Sequence, residues 1–338
     1  MAQNILVIQT AFIGDAILTL PLIQELSSKY NNKIDVVCTP VSKEIFSSSP
    51  FVGECFVLDK KGAHKSLLAT IKFAKALRKK KYHHIYSPHR SFRSSVIVFL
   101  LRKENSTGFD NSSFRFVYNN KIKYEKDYHE VYRNLSLLGD YDNGKWKILP
   151  LVNVTDKEKA EVRQFLKNTD VNKLKVTIAP GTVWETKRYP EKYYVEIIKF
   201  LLDNNYEVIL IGGKNDVELC KSIEMQFNGK IFNSTGKFSV PQTIYLLKNS
   251  KLLISNDSAP THMAMAADIP TLTIFCSTVP QFGFIPYNNK SSFVSYDNLE
   301  CKPCGIHGQK KCPLKTFECG IKLVPDLVID KIKQLLQI

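Results

Sequence analysis

The chain has 338 residues, 44% hydrophobic and 23% charged, the balance of a soluble globular protein long enough for two domains. No stretch holds the about 18 consecutive apolar residues of a membrane-spanning helix. With no basic segment before Ile5 and with Asp15 interrupting the apolar run, the amino terminus is expected to carry no signal peptide, which makes the cytoplasm the expected location. The net charge of +15 is unevenly placed: Lys60 to Lys103 holds thirteen Lys and Arg residues and no Asp or Glu, together with His64, His83, His84 and His89. A field this one-sided draws an anionic partner such as nucleic acid, an anionic membrane surface or a phosphorylated lipid head group. For Lys79-Lys80-Lys81 a solvated lysine-rich face is an equally good reading.

In chain order, Ile5-Leu6-Val7-Ile8 reads as a strand and passes through Thr10-Ala11-Phe12-Ile13-Gly14-Asp15 into a helix from Ala16 to about Tyr30. Ile17, Leu20, Ile23 and Leu26 share one face of that helix, and Pro21 inside it predicts a kink. Ile34–Cys38 is a strand, Leu67 to Lys80 an amphipathic helix, His84–Ser87 a strand and Ser94–Leu101 a helix. Phe109 to Tyr128 is polar and aromatic without a clear period, which predicts loops and short strands; residues 129–139 look helical. A turn-rich stretch from Asp140 to Gly144, running on to Pro150, marks a domain boundary near 145–155. Thr155 with Glu158 three residues on is a helix start. The βα rhythm then resumes. Val176–Ala179 leads into Pro180-Gly181-Thr182 and Lys187-Arg188-Tyr189-Pro190, and Val208–Ile211 into Gly212-Gly213-Lys214-Asn215-Asp216. Leu252–Ile254 leads into Ser255-Asn256-Asp257-Ser258-Ala259-Pro260-Thr261-His262, and Val324 to Ile338 closes the chain as an amphipathic helix.

This alternation predicts an α/β protein of two facing Rossmann-like domains, 1–150 and 151–322, with a final helix over 323–338. In open α/β sheets ligands bind beyond the carboxyl ends of the strands, where these polar motifs fall. Helix amino termini there favour anions, so a phosphorylated ligand is expected. The dinucleotide fingerprint G-x-G-x-x-G is absent after the first strand, and no Walker Gly-Lys-Ser or Gly-Lys-Thr occurs. Cys301, Cys304, Cys312 and Cys319 are crowded, with His307 among them; in a cytoplasmic chain this suggests thiols or a structural zinc rather than a disulfide framework. Cys38, Cys55, Cys220 and Cys276 read as small core residues. The basic segment and the cysteines also suggest a nucleic-acid-binding protein, but that reading leaves the strand-end motifs unexplained.

Ile13-Gly14-Asp15 ahead of Leu20-Pro21-Leu22, Ala179-Pro180-Gly181 with Lys187-Arg188-Tyr189-Pro190, and Ser255 through His262 followed by Phe275-Cys276-Ser277-Thr278 occur in an order that resembles glycosyltransferase family 9 over nearly the whole chain. The cysteine cluster is similar to one common in its heptosyltransferase II-like members. The resemblance implies the GT-B arrangement and an inverting, metal-independent transfer of heptose from ADP-heptose to the phosphorylated Kdo-lipid A inner core of lipopolysaccharide. It implies peripheral contact with an anionic membrane surface, no nucleic acid and no required cofactor, and a final helix that crosses back to the amino-terminal domain. The alternative is a related glycosyltransferase with a different donor or acceptor. Ala259 and Cys276 stand where the family usually has Gly, adding a Cβ close to the expected nucleotide site; Tyr189 stands where it usually has Trp.

By this resemblance Asp15 is the general base that deprotonates the acceptor hydroxyl, although Asp at a strand–helix junction is also a preferred cap. Lys187 would neutralise the departing diphosphate. Gly181, Thr182, Asp216, Asp257, Ser258, Ala259, Thr261 and His262 form the expected donor site, with Asp257 either orienting Lys187 or binding a sugar hydroxyl. Asp216 is as well explained by first-turn complementation of the helix dipole. Gly14, Arg90 and Arg93 are the expected acceptor contacts. No metal ligands are expected in the site: the single Asp-x-Asp, Asp140-Tyr141-Asp142, follows no strand.

Overall fold

Short runs of Val, Ile and Leu that are buried along their whole length are what central strands of a parallel sheet require, since helices cover both faces. In the computed structural model, which describes residues 3–101, 105–139 and 141–338, these runs build two six-stranded parallel sheets. Contacts divide the chain into two units between Asn153 and Val154. Asp140, and Arg102 and Lys103 at the end of the basic stretch, lie outside the described residues.

The first sheet contains β1 (Ile5–Ile8), β2 (Ile34–Cys38), β3 (Val52–Val57), β4 (His84–Ser87), β5 (Ser106–Phe109) and β6 (Asn120–Ile122), in the order β3-β2-β1-β4-β5-β6. Helices α1 (Ile13–Tyr30), α2 (Lys43–Ser47), α3 (Leu67–Leu77), α4 (Phe92–Leu101) and α5 (Glu130–Ser136) connect and cover it. The chain winds outward from β1 to β3, then returns to lay β4 on the other side of β1. That reversal is a topological switch point, and it opens between the carboxyl ends of β1 and β4.

The second unit repeats the pattern. Its strands are β7 (Lys175–Ala179), β8 (Glu207–Leu210), β9 (Phe232–Asn233), β10 (Leu252–Asn256), β11 (Thr271–Phe275) and β12 (Ser292–Ser295), ordered β12-β11-β10-β7-β8-β9. The helices are α6 (Asp156–Leu166), α7 (Glu191–Asp203), α8 (Val217–Met225), α9 (Val240–Leu247), α10 (Ala259–Ala267), α11 (Glu318–Ile321) and α12 (Pro325–Leu336). Here the switch lies between β7 and β10. Two Rossmann-like α/β units, expected from the sequence, are therefore what the chain folds into.

Local details follow the chemistry of the sequence. Thr155 caps α6 by accepting from Glu158 N, while Glu158 Oε2 accepts from Thr155 N at 2.8 Å, a reciprocal arrangement that stabilises the helix start by about 1 kcal/mol. Helix α1 starts three residues earlier than expected and continues through Pro21. The polar stretch 109–128 folds as a short turn at Arg115–Val117 and the edge strand β6. The closing helix α12 packs on α7 and β12 of its own unit and buries Val328, Ile332 and Leu336 in the core with Tyr189, Ile197 and Leu201.

Candidate active site

Both switch points carry the motifs. In the first unit, β1 ends and α1 begins with Phe12 as N-cap, so Asp15 is the third helical residue rather than the cap. Its Oδ2 accepts the Phe12 N–H at 3.2 Å, and its carbonyl accepts from Thr19 Oγ1 at 2.7 Å. Gly14 lies in the same turn. Asp15 thus does perform cap-type work while remaining only partly buried at the carboxyl end of the sheet.

Around it lies a cluster that the sequence did not reveal. The Tyr124 ring has the Arg90 guanidinium 3.8 Å from its centroid and that of Arg133 at 4.9 Å. Arg133 Nε donates to Glu130 Oε2 at 2.8 Å, with both side chains buried. Burial pushes the Glu130 carboxyl up to about 7, Arg133 opposes that rise, and the charge of Asp15 adds to it. Glu130 opens α5, which is tied to α1 by Asn134 Nδ2 donating to Leu18 O at 3.0 Å.

The two expected acceptor arginines differ. Arg90 stacks on Tyr124. The Arg93 guanidinium donates to the carbonyls of His64 and Lys65 and reaches Thr70 Oγ1 at 3.4 Å, closing the loop before α3. Lys60 is also part of the framework, donating to Thr10 O at 2.5 Å. His89 sits among Thr10, Ser91 and Ser94 hydroxyls, and burial with the nearby Lys60 and Arg90 charges holds its pKa down to about 4.

In the second unit the switch point brings the loop after β7 against the loop after β10. Lys187 Nζ lies 2.6 Å from Asp257 Oδ2, with side chains 12% and 7% exposed, and Thr278 Oγ1 donates to the same oxygen at 2.7 Å. This contact is the one that orientation of Lys187 by Asp257 requires. Asn256, fully buried, joins both loops by donating to Pro180 O at 2.8 Å and accepting from Tyr189 N at 2.9 Å. Tyr189 is buried in the core, its hydroxyl donating to Leu323 O at 2.7 Å.

Helix α10 begins with Ala259 after Ser258, and Pro260 falls in its first turn, where no backbone donor is lost. The Thr261 N–H donates to Ser258 O at 3.1 Å and its fully buried hydroxyl meets Asn256 O and Thr273. His262 is 4% exposed, and its Nδ1 has no hydrogen-bond partner among the described residues. Burial first, then the Lys187 charge, push its pKa down to about 3, so the ring is neutral.

Asp216 accepts from Gly213 N at 2.8 Å, and its carboxylate lies where a Cβ on Gly181 would be, 2.1 Å from Oδ1. Gly181 is therefore required by close approach to Asp216. Thr182 Oγ1 accepts the Trp184 N–H at 3.2 Å and shapes the turn towards Lys187.

All eight cysteines are free thiols. The zinc expected as a candidate at Cys301, Cys304, Cys312 and Cys319 does not fit: among the described residues no three His, Cys, Asp or Glu side chains gather where they could hold a metal ion. Cys319 packs in the apolar core while Cys301 faces solvent. Cys276 also belongs to that core, fully buried; Cys55, read as a core residue, is only partly buried.

The model of glycosyltransferase family 9 (heptosyltransferase) matches residues 70–315. A lipopolysaccharide heptosyltransferase 2 from Salmonella typhimurium is 24% identical over 295 residues, covering 83% of this chain and 84% of that protein. A family 9 glycosyltransferase structure from Veillonella parvula superposes with a TM-score of 0.85 at 21% identity, over 99% of this chain and 98% of the other. The ADP-heptose lipopolysaccharide heptosyltransferase II of E. coli gives 0.79 at 23% identity, over 99% of each chain.

Proposed function

The chain belongs to glycosyltransferase family 9, the heptosyltransferases, and from that premise we propose that it transfers heptose from ADP-heptose to the inner core of lipopolysaccharide, inverting the anomeric centre without a metal ion. The observation that carries this reading is the buried Lys187–Asp257–Thr278 constellation beside the start of α10. A fixed cation and a helix amino terminus at one switch point complement a diphosphate and stabilise the negative charge that grows as the sugar departs. The unpartnered Nδ1 of neutral His262 adds a directed polar atom there. Asp216, held against Gly181, is placed for a ribose hydroxyl, as acidic residues are on related sheets. In the first unit Asp15 takes the acceptor proton as its oxygen attacks, and Arg90 beside Tyr124 meets the acceptor's phosphate.

The test is ADP release from ADP-heptose with Kdo-lipid A acceptors carrying no heptose or one, in EDTA. Acceptor-dependent release with an inverted product anomer is expected, and the preferred acceptor identifies which heptose is added. Release that vanishes in EDTA and returns with a divalent cation would remove the metal-independent reading; release only from another sugar nucleotide would replace the donor.

Peripheral contact with an anionic membrane, at the inner face of the inner membrane, has its own support. Phe92, Phe114 and Phe116 are 41%, 48% and 69% exposed and lie in series, edge-to-face at 4.8 Å and tilted at 5.0 Å, with Arg115 between the last two in sequence. Phe114 has φ +56°, a left-handed backbone costly for a bulky residue and a mark of local constraint. Exposed rings with a neighbouring cation suit the head-group boundary of a bilayer. Phe114→Ser/Phe116→Ser is expected to release the protein from vesicles containing phosphatidylglycerol; unchanged co-sedimentation would reject this surface.

A further inference from the structure

Lys187 stands on a four-carbon stem that would sample many rotamers if it were unsupported, and ordering it only at the moment of reaction would cost rate. What fixes it comes from far along the chain. We propose that the segment Cys304–Gln309 is a positioning element for Lys187, acting through Thr186 and Gly308. The inference rests on the reading of Lys187 given above and extends it to two uncharged residues, Thr186 and Gly308.

Thr186, 3% exposed, is fully committed. Its N–H donates to Gln309 O at 3.1 Å. Its hydroxyl accepts from Gln309 N at 2.8 Å and from Ser277 Oγ at 2.9 Å, and can give its one proton to Gln309 O at 3.2 Å. One donor and two acceptor sites are thus all used, so this residue has a single arrangement. Gly308 lies on the same spot with φ +74°. A Cβ there would stand 2.9 Å from Lys187 Cγ, 3.0 Å from Thr186 Oγ1 and 3.1 Å from Ser277 Oγ. Its bare backbone is the floor on which the Lys187 stem lies.

The segment is itself anchored at the strand ends. Cys304 N donates to Ser277 O at 2.9 Å. Lys302, with a side chain 1% exposed, donates to Phe275 O at 3.1 Å, Ser295 Oγ at 2.6 Å and Tyr296 O at 3.0 Å, and pairs with Asp297 at 3.2 Å. A buried ammonium with this many partners cannot move without leaving a desolvated charge, so the segment holds its place beyond β11 and β12. The positive φ and the close approach at Gly308 then transmit that rigidity to Lys187.

The experiment measures kcat for acceptor-dependent ADP release per folded molecule in Thr186→Val, Thr186→Ser, Gly308→Ala and Lys187→Met, and in Thr186→Val/Lys187→Met. If Thr186 acts through Lys187, Thr186→Val and Gly308→Ala each lower kcat by about tenfold or more, since small displacements of a catalytic group are costly. Thr186→Ser, which keeps the hydroxyl, restores most of the rate. On the Lys187→Met background Thr186→Val then adds no further loss, the non-additivity of groups that act as one. Wild-type kcat in folded Thr186→Val and Gly308→Ala, with Lys187→Met strongly impaired, overturns the positioning role alone. A full additional loss on the Lys187→Met background also overturns it. A fully active Lys187→Met overturns the reading of Lys187 and this inference together.

Discussion

Replacing Asp15 by Asn is expected to lower kcat by roughly 10²–10⁴-fold while leaving the protein as well folded as before. The two roles open to this residue diverge at that substitution. Asp15 Oδ2 accepts the Phe12 N–H at 3.2 Å, and an Asn side-chain oxygen in the same position can accept it equally. If the residue only completes the start of α1, Asn costs no more than the about 0.3–1 kcal/mol of a charge near a helix amino terminus, and transfer continues. If Asp15 takes the acceptor's proton, Asn cannot, and the rate collapses with the thermal midpoint almost unmoved. Asp15→Ala removes both functions and supplies the comparison: its stability should fall below that of Asp15→Asn while its rate falls no further. A transfer rate within about twofold of wild type for Asp15→Asn would end the general-base reading, because proton abstraction contributes far more than that.

The position of Asp15 was legible because burial of β1 is written in four consecutive apolar residues, and the switch point then dictates what its following loop can reach. The same logic recovered β4 at its observed bounds and the motif after β10. Less could be read where function depends on long-range contact. Tyr124 and Glu130 reach the surroundings of Asp15 from a stretch without clear period and from a short buried helix, and neither residue type announces a partner over a hundred positions away. Arg93 carries contacts that its position does not announce. It opens a helix after a strand, where a ligand contact is expected, and its guanidinium also donates to two backbone carbonyls of the loop before α3. The cysteine spacing misled for a related reason: proximity in sequence does not place Cys301 and Cys319 in the same environment, one in solvent and one in the core.

Lys187→Met should be the most damaging substitution in the second unit, and its two effects can be pulled apart. Removing the ammonium leaves the Asp257 carboxylate 7% exposed with Thr278 still donating to it, an uncompensated buried charge that costs about 3–5 kcal/mol of stability. Loss of a preorganised cation at the leaving group separately lowers kcat by roughly 10²–10³-fold. Changing Asp257 to Asn as well removes the stranded charge while preserving an oxygen for the Thr278 hydroxyl. The double variant is therefore expected to regain most of the lost thermal stability and none of the lost rate. Asp257→Asn alone should sit between, folded but with Lys187 deprived of the partner 2.6 Å away that orients it, so that kcat falls while the ammonium remains. Thermal denaturation and ADP release measured on the same four proteins decide the matter. Recovery of transfer in the double variant would mean that Lys187 serves only to neutralise Asp257, and that the charge on the departing diphosphate is met by the start of α10 without it.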